Sequence, residues 1–318
     1  MIDVSIIIPT YKGEENVLIA VRSAIGQRNI NKEIIVVDDN GEGSASQIRT
    51  YNKLSYYIDN NLITYVTHKN NKNGSAARNT GVEHSTGKYL IFLDDDDYIF
   101  PDMSVKMKDS LEKENNKSGF CVVAGFYVRD NGCGYIKKIN KRGNFLYNYL
   151  MDKCFFNTSA MMIERNAFEK ISGFDESFSR HQDWEFCSRL MINEIPVVVN
   201  EPLLIKYAQN RNAPSNTQKR AEQLEYFINK MCYIWPKKLT KREIDNIKGY
   251  RRRQVFIDFL IKKEVKKGLK YLNSYSNTFV NIIISMYDIV KFVIRRLFIG
   301  SKKVTYSYNE IRLKLKVE

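Results

Sequence analysis

Short β-branched runs, each closed by a polar or proline-bearing turn and followed by apolar residues at helical spacing, fill the first hundred residues. This alternation leaves few folds open. "VSIII" (4–8) ends at Pro9, and Val17, Leu18, Val21, Ala24 and Ile25 then recur three and four apart, the spacing of one helix face. "EIIVV" (33–37), "LITYV" (62–66) and "YLIFL" (89–93) are further strand candidates. Ser75 is placed to cap a short helix through Ala76, Ala77 and Val82, and Pro101–Asp102 opens another that runs to about residue 115. A strand–helix–strand rhythm brings successive strands back in parallel, so the chain is expected to be an α/β protein with a mostly parallel central sheet.

The later chain is less regular. "FCVVAGFYV" and "YIKKI", joined by "RDNGCG", predict a hairpin. "SAMMI" predicts a strand, "ERNAFEKISGF" a short helix stopped by Gly173, "DWEFCSRLMIN" a helix, and "VVV" and "LLIKY" two more strands. After the polar stretch "QNRNAPSNTQ" the sequence turns helical, basic and aromatic. Residues 1–215 are therefore read as one α/β domain and 216–318 as a helical extension.

Charge divides at nearly the same place. The first 219 residues carry 27 Lys and Arg and 27 Asp and Glu, whereas the last 99 carry 23 against 9. A neutral working domain with a basic tail facing an anionic surface follows. Apolar residues make up 43% of the chain, enough for a sizeable core. The five cysteines are scattered without a CxxC, which argues against a disulfide framework or thiolate zinc site and suits a reducing cytoplasm. The first fifteen residues lack the basic leader and long apolar run of a signal peptide.

A parallel α/β sheet binds ligands beyond the carboxyl ends of its strands. Here the first strand delivers Pro9, Thr10 and Tyr11, the second Asp38, Asp39 and Asn40, and the fourth the run Asp94, Asp95, Asp96 and Asp97. A tyrosine ring can stack on a base, and a carboxylate can accept from a base N–H or a ribose hydroxyl. Clustered carboxylates suit a hard cation, Mg²⁺ or Mn²⁺, that bridges to a diphosphate. Taken singly, Asp97 or Asp102 could simply cap a helix, and Asp38 and Asp39 could simply form a turn. Together, at three strand ends, the loops describe a nucleotide-diphosphate site. "GEGSAS" (41–46) fails as a dinucleotide fingerprint, because Ser46 stands where the third glycine belongs and the strand before it is the second.

"VSIIIPTYKGEENVLIAVRSAIGQ", "EIIVVDDNG", "NGSAARNTGVEHSTGKYLIFLDDDD" and "GFDESFSRHQDWEFCSRL" resemble, in order, the motifs of the family 2 glycosyltransferases, over about residues 3–207. The resemblance implies a GT-A fold and a metal-dependent, inverting hexosyltransferase. By it, Pro9, Thr10 and Tyr11 line a uracil and ribose pocket, Asp39 contacts the uracil, and Arg78 lies near the nucleotide. Asp94 and Asp96 match the DxD carboxylates, Asp96 as metal ligand and Asp94 facing ribose, donor sugar and metal, with Asp95 reaching the donor and Asp97 structural. Asp183 matches the catalytic base. Gln182 stands where many members have an acidic residue, and Gln209 departs from the pattern of the loop after the last strand, where Arg211 is a candidate for the diphosphate. Trp184 either stacks on the acceptor sugar or packs, and His181 either orients the acceptor or merely starts a helix. Glu185 and Arg189 are spaced for an ion pair, and Asp175 and Glu176 read as structural.

"VNIIISMYDIVKFVIRRLFIG" (280–300) is long enough to raise the question of a membrane span, but Asp288, Lys291, Arg295 and Arg296 lie within it. With Asn281 and Ser285 most of these polar residues fall on one stripe, as in an amphipathic helix lying in a membrane interface; docking on the first domain is the alternative. The basic groups around it favour anionic lipid. The combined expectation is an enzyme at the inner face of the plasma membrane. It would move glucose, or galactose, from a UDP-sugar to an undecaprenyl-diphosphate-linked sugar in O-antigen or polysaccharide assembly. A nucleic-acid-binding role for the basic, aromatic tail is the rival outside this class, and it leaves the ordered motifs unexplained.

Overall fold

The structure, a computed structural model, describes residues 1–114, 118–128, 134–137, 139, 143–154, 156–207 and 216–275. The first half alternates as the apolar runs require: β1 (Val4–Thr10), α1 (Val17–Ile25), β2 (Lys32–Asp38), α2 (Ala45–Asp59), β3 (Thr64–Thr67), α3 (Gly74–Glu83), β4 (Tyr89–Phe92), β5 (Tyr98–Ile99) and α4 (Met103–Lys113). The rest comprises β6 (Phe120–Val128), β7 (Gly134–Lys137), α5 (Phe145–Leu150), β8 (Met161–Glu164), α6 (Arg165–Lys170), α7 (Gln182–Asn193), β9 (Val197–Tyr207), α8 (Thr217–Met231), α9 (Lys241–Ile261) and α10 (Val265–Asn273).

One sheet runs in the order β3-β2-β1-β4-β8-β6-β9-β5, with β7 on β6. β1 is parallel to both β2 and β4, and β2 to β3, so this half is the parallel sheet expected. The other half is mixed: β8 is antiparallel to β4 and β6, and β6 is parallel to β9. Residues 120–128 and 134–137 form the predicted antiparallel hairpin. "VVV" and "LLIKY" are one strand rather than two. The register slips between Val199 and Leu204, where Pro202, lacking an N–H for the ladder, sits in a bulge.

Local chemistry explains two further differences. α3 is capped by Asn73, not Ser75: the Asn73 Oδ1 accepts from the Ser75 and Ala76 amides at 2.8 and 3.3 Å. The "GEGS" stretch is a turn with Gly41 and Gly43 at positive φ, after which Ser44 caps α2 through the Gln47 amide.

Strands β1, β2 and β4 are almost wholly buried. Phe92, at the end of β4, forms an aromatic cluster with Phe168, Phe174 and Phe186, Phe174 and Phe186 stacking at 4.0 Å. Helices α8 and α9 and the turn between them join the same core through Phe227, Ile247 and Trp235 respectively, with Phe227 against Trp184 and Trp235. Among the described residues no helix is long and apolar enough to cross a membrane. Residues 280–300, expected above to form an amphipathic helix, and Arg211 and Gln209 lie outside the described residues.

Candidate active site

The parallel register sets Thr10 beside Asp38, and Leu93 donates to the Ile7 carbonyl, so the three polar loops do share one edge. Direct bonds then lock them together. The Asn40 side chain accepts from the Lys12 amide at 2.7 Å, joining the first and second loops. The buried Thr10 hydroxyl donates to Asp95 at 2.7 Å, joining the first loop to the one after β4. The packing leaves room only for glycine at position 13, where a Cβ would lie 1.7 Å from the Asp95 carboxylate. Asp95 thus bolts the acidic turn to β1, while Tyr11 is exposed at the rim.

Asp38 is buried and accepts from the Tyr65 hydroxyl and the Asn40 amide, a turn-forming role. Asp39 is buried too. Its carboxylate accepts from His68 Nδ1, the Asn71 side chain and the Lys72 and Asn73 amides, at 2.7–2.9 Å. Those bonds occupy the acceptor sites of both oxygens, so Asp39 shapes the segment leading into α3; a base N–H reaching it would replace one of them.

Asp94, Asp96 and Asp97 each bring a carboxylate oxygen into one group whose members lie within 4.8 Å of one another. Such an all-oxygen set fits a hard divalent cation. Two protein cations already share the site. Arg78 donates to Asp94 Oδ1 at 2.8 Å, and Lys206, from β9, reaches Asp94 Oδ2 at 3.1 Å and Asp97 Oδ2 at 3.0 Å. Burial works to raise the Asp94 carboxyl, but the Lys206 and Arg78 charges outweigh it and hold it down to about 2. Asp97, fully buried, accepts from Ser159 at 2.6 Å and Asn157 at 3.3 Å, the anchoring expected of a structural residue.

Arg78 carries the site across to α7. Its guanidinium donates to Asp94, to the Gly74 carbonyl and, at 3.4 Å, to Gln182 Oε1, and lies over the Phe174 ring. Gln182, the residue that departs from the acidic pattern, is therefore built into the link between α3 and α7, donating also to the Phe178 carbonyl. The next motif residue, Asn79, binds Phe174 O and Glu176 Oε1 at 2.9 and 2.8 Å and so fixes the "GFDE" turn. Arg189 pairs with Glu185 and also donates to the Ile171 and Gly173 carbonyls, which pins α7 to that turn beyond a simple ion pair.

Asp183 stands in the first turn of α7. Burial pushes its carboxyl up, against the Trp184 amide and Arg78, which pull it down. A carboxylate raised by desolvation beside a cationic site is suited to accept a proton. His181 precedes the helix at φ 61°, a left-handed conformation uncommon outside glycine. Its ring stacks on Trp184 at 4.3 Å, and burial together with Arg180, Arg251 and Arg220 pushes it down to about 3, so it is neutral at pH 7.

The Arg251 guanidinium lies 3.7 Å from the Trp184 ring. Two flat groups this near one ring must take opposite faces, so both faces of Trp184 are covered and a sugar would meet only its edge. Arg251, itself buried, is held by a bidentate pair with Asp152 at 3.0 Å. Asp152, His181, Trp184, Arg220, Arg251 and Gln254 line a cavity of about 310 Å³ between α7 and helices α8 and α9. Lys206 was not singled out by sequence reasoning, because a lone lysine in a strand carries no pattern; Arg251 entered among the basic groups of "YRRRQ" (250–254) read toward anionic lipid, whereas it is buried and paired with Asp152.

A family model described as "Glycosyl transferase family 2" matches residues 5–177, more than half of the chain. The chain is 25% identical over 258 residues to the amylovoran biosynthesis glycosyltransferase AmsB of Erwinia amylovora, covering 79% of this chain and 83% of that one. It is 29% identical over 265 residues to an uncharacterized glycosyltransferase of Rickettsia prowazekii, covering 77% and 75%. Among solved structures, S. aureus TarS 1–349 in complex with UDP-GlcNAc superposes with a TM-score of 0.65 at 16% identity, covering 86% of this chain and 79% of that one. The mannosyltransferase PcManGT of Pyrobaculum calidifontis in complex with GDP-Man and Mn²⁺ superposes with a TM-score of 0.55 at 14% identity, covering 91% and 80%.

Proposed function

The chain belongs to glycosyl transferase family 2 and has the GT-A fold, and from this we propose that it transfers a hexose from a UDP-sugar, with inversion, to a sugar carried on a lipid diphosphate. Glucose is the leading donor sugar and galactose the second. The observation that carries the reading is the Arg78 guanidinium, which joins the acidic turn at Asp94 to Gln182, the neighbour of Asp183. This link supports a reading in which the acidic turn holds the donor while Asp183 accepts the proton.

The chain's own residues divide the work. Pro9, Thr10 and Tyr11 receive the base and ribose. Asp94, with Asp95 behind it, faces the ribose and donor sugar. Asp96 and Asp94 would hold Mn²⁺ or Mg²⁺, which when bound supplies positive charge to the diphosphate. The acceptor hydroxyl attacks the anomeric carbon from the side opposite the diphosphate. The new C–O bond forms as the bond to the diphosphate oxygen breaks, UDP leaves, and the hydroxyl proton passes to Asp183. Arg78 lies beside the developing charge of the leaving group. Arg211 belongs to this reading as a further diphosphate contact, and His181 and Trp184 as the wall of the acceptor side. The basic extension would hold the enzyme peripherally on an anionic membrane, where a lipid-linked acceptor is found. UDP-GlcNAc named with one structural neighbour, and GDP-Man with Mn²⁺ named with the other, support a nucleotide-sugar donor and a divalent ion, and the amylovoran biosynthesis in the name of AmsB supports a glycosyltransferase of a biosynthetic pathway.

A panel of UDP-sugars offered with Mn²⁺ and a synthetic lipid-diphosphate GlcNAc or GalNAc acceptor tests it. One UDP-hexose should give an extended lipid with inverted anomeric configuration. Absence of transfer from every UDP-sugar would reject the reading.

A further inference from the structure

Lys206 lies where the proposed cation would have to work, and nothing in the motif set assigns it a role. Its ammonium touches Asp94 Oδ2 at 3.1 Å and both oxygens of Asp97 at 3.3 and 3.0 Å. The other Asp94 oxygen is taken by Arg78. Two fixed protein cations, Arg78 and Lys206, thus already offset much of the negative charge that Asp94, Asp96 and Asp97 would offer an incoming ion. Lys206 is also not free to swing away at no cost. Its side chain is 22% exposed, and it pairs with Asp97, which is completely buried. A buried carboxylate without its counter-ion is strongly unfavourable.

We propose that Lys206 is a built-in counter-ion of the acidic turn, a positioning residue that competes with the divalent cation for Asp94 and so makes cation binding depend on the nucleotide. Without nucleotide, a dication entering the turn meets a site whose charge is already much offset and repulsion from the ammonium. A nucleoside diphosphate brings its own negative charge, gives both the dication and the ammonium a partner, and removes the competition. Cation and sugar nucleotide then enter together rather than in sequence. This inference rests on the reading of Asp94 and Asp96 as the cation's ligands.

Binding of Mn²⁺ to the full chain, followed by electron paramagnetic resonance of the free ion with and without UDP, tests it. Wild type should bind Mn²⁺ weakly alone and about tenfold or more tightly with UDP, the scale expected for one unit charge at contact distance in a half-buried site. Lys206→Met should bind Mn²⁺ without nucleotide about tenfold tighter than wild type and gain little from UDP. Lys206→Arg, which keeps the charge, should behave as wild type. Mn²⁺ alone should also raise the melting temperature of Lys206→Met more than that of wild type, because the ion replaces the lost partner of Asp97 and Asp94. Equal Mn²⁺ affinity of wild type with and without UDP overturns the proposal and needs no variant. So does unchanged nucleotide dependence in Lys206→Met. Failure of wild type to bind Mn²⁺ even with UDP would instead reject the cation site itself.

Discussion

Asp183→Asn is expected to lower transfer by about 10²–10⁴-fold, the usual loss on removing a general base, while the protein folds at least as stably at neutral pH. The second half follows from the environment of the carboxyl. Burial raises its pKa in the folded chain above the unfolded value. The folded state therefore binds the proton more tightly. That contribution to stability is fully present below the unfolded pKa and is lost as pH rises through the folded one. At pH 7 the ionised, desolvated carboxylate is a cost that asparagine removes. Thermal melts should show Asp183→Asn equal to or above wild type at pH 7, with the difference closing in acid. In wild type kcat/KM should climb with pH through the same raised pKa, and the residual activity of the variant should lack that limb. Near-normal turnover in the variant, or an unchanged acid limb, would remove Asp183 from the base role.

The second large effect is expected at the acidic turn, where two neighbouring aspartates should fail differently. Asp96→Asn should lower transfer by about 10²–10³-fold, the scale for losing charge stabilisation at a leaving group, with little change in melting temperature. Asp94→Asn should lose as much activity and also destabilise the fold, because Arg78 and Lys206 both lose their anionic partner and the asparagine keeps an acceptor oxygen for only one of them. Removing one partner of a buried pair costs about 3–5 kcal/mol. Asp94 is 26% exposed, so the loss should fall below that range. If the two variants melt alike, the description of Asp94 as the hub of two cations is wrong.

What the sequence made legible follows from what kind of signal each feature leaves. β1, β2 and β4 are buried on both faces and read as unbroken apolar runs, and their polar ends announce the loops. α2 escaped because only Thr50 and Leu54 of its fifteen residues are buried, too few to write a helical period. β9 read as two strands because its bulge places Asn200, Glu201 and Pro202 in the middle of the run. The aspartates that stand out in the sequence proved unequal. Asp38, Asp39 and Asp97 anchor their loops through Tyr65, His68 and Ser159, whereas Asp94 is held by two protein cations, and no single-sequence pattern separates these roles. The missed pairings are long-range. Lys206 is 112 positions from Asp94, and Arg251 is 99 from Asp152. Neither spacing is a motif, and only the folded sheet and the docking of α9 bring the pairs together.

The central claim is that the acidic turn grips a sugar nucleotide through a divalent ion. Calorimetric titration of wild type and Asp96→Asn with uridine diphosphate sugars, with and without Mn²⁺, addresses it most directly. The account predicts saturable heat for at least one donor in wild type, dependent on Mn²⁺ and absent in Asp96→Asn. Binding that is indifferent both to the ion and to the substitution, or no heat with any such donor on folded protein, would contradict it.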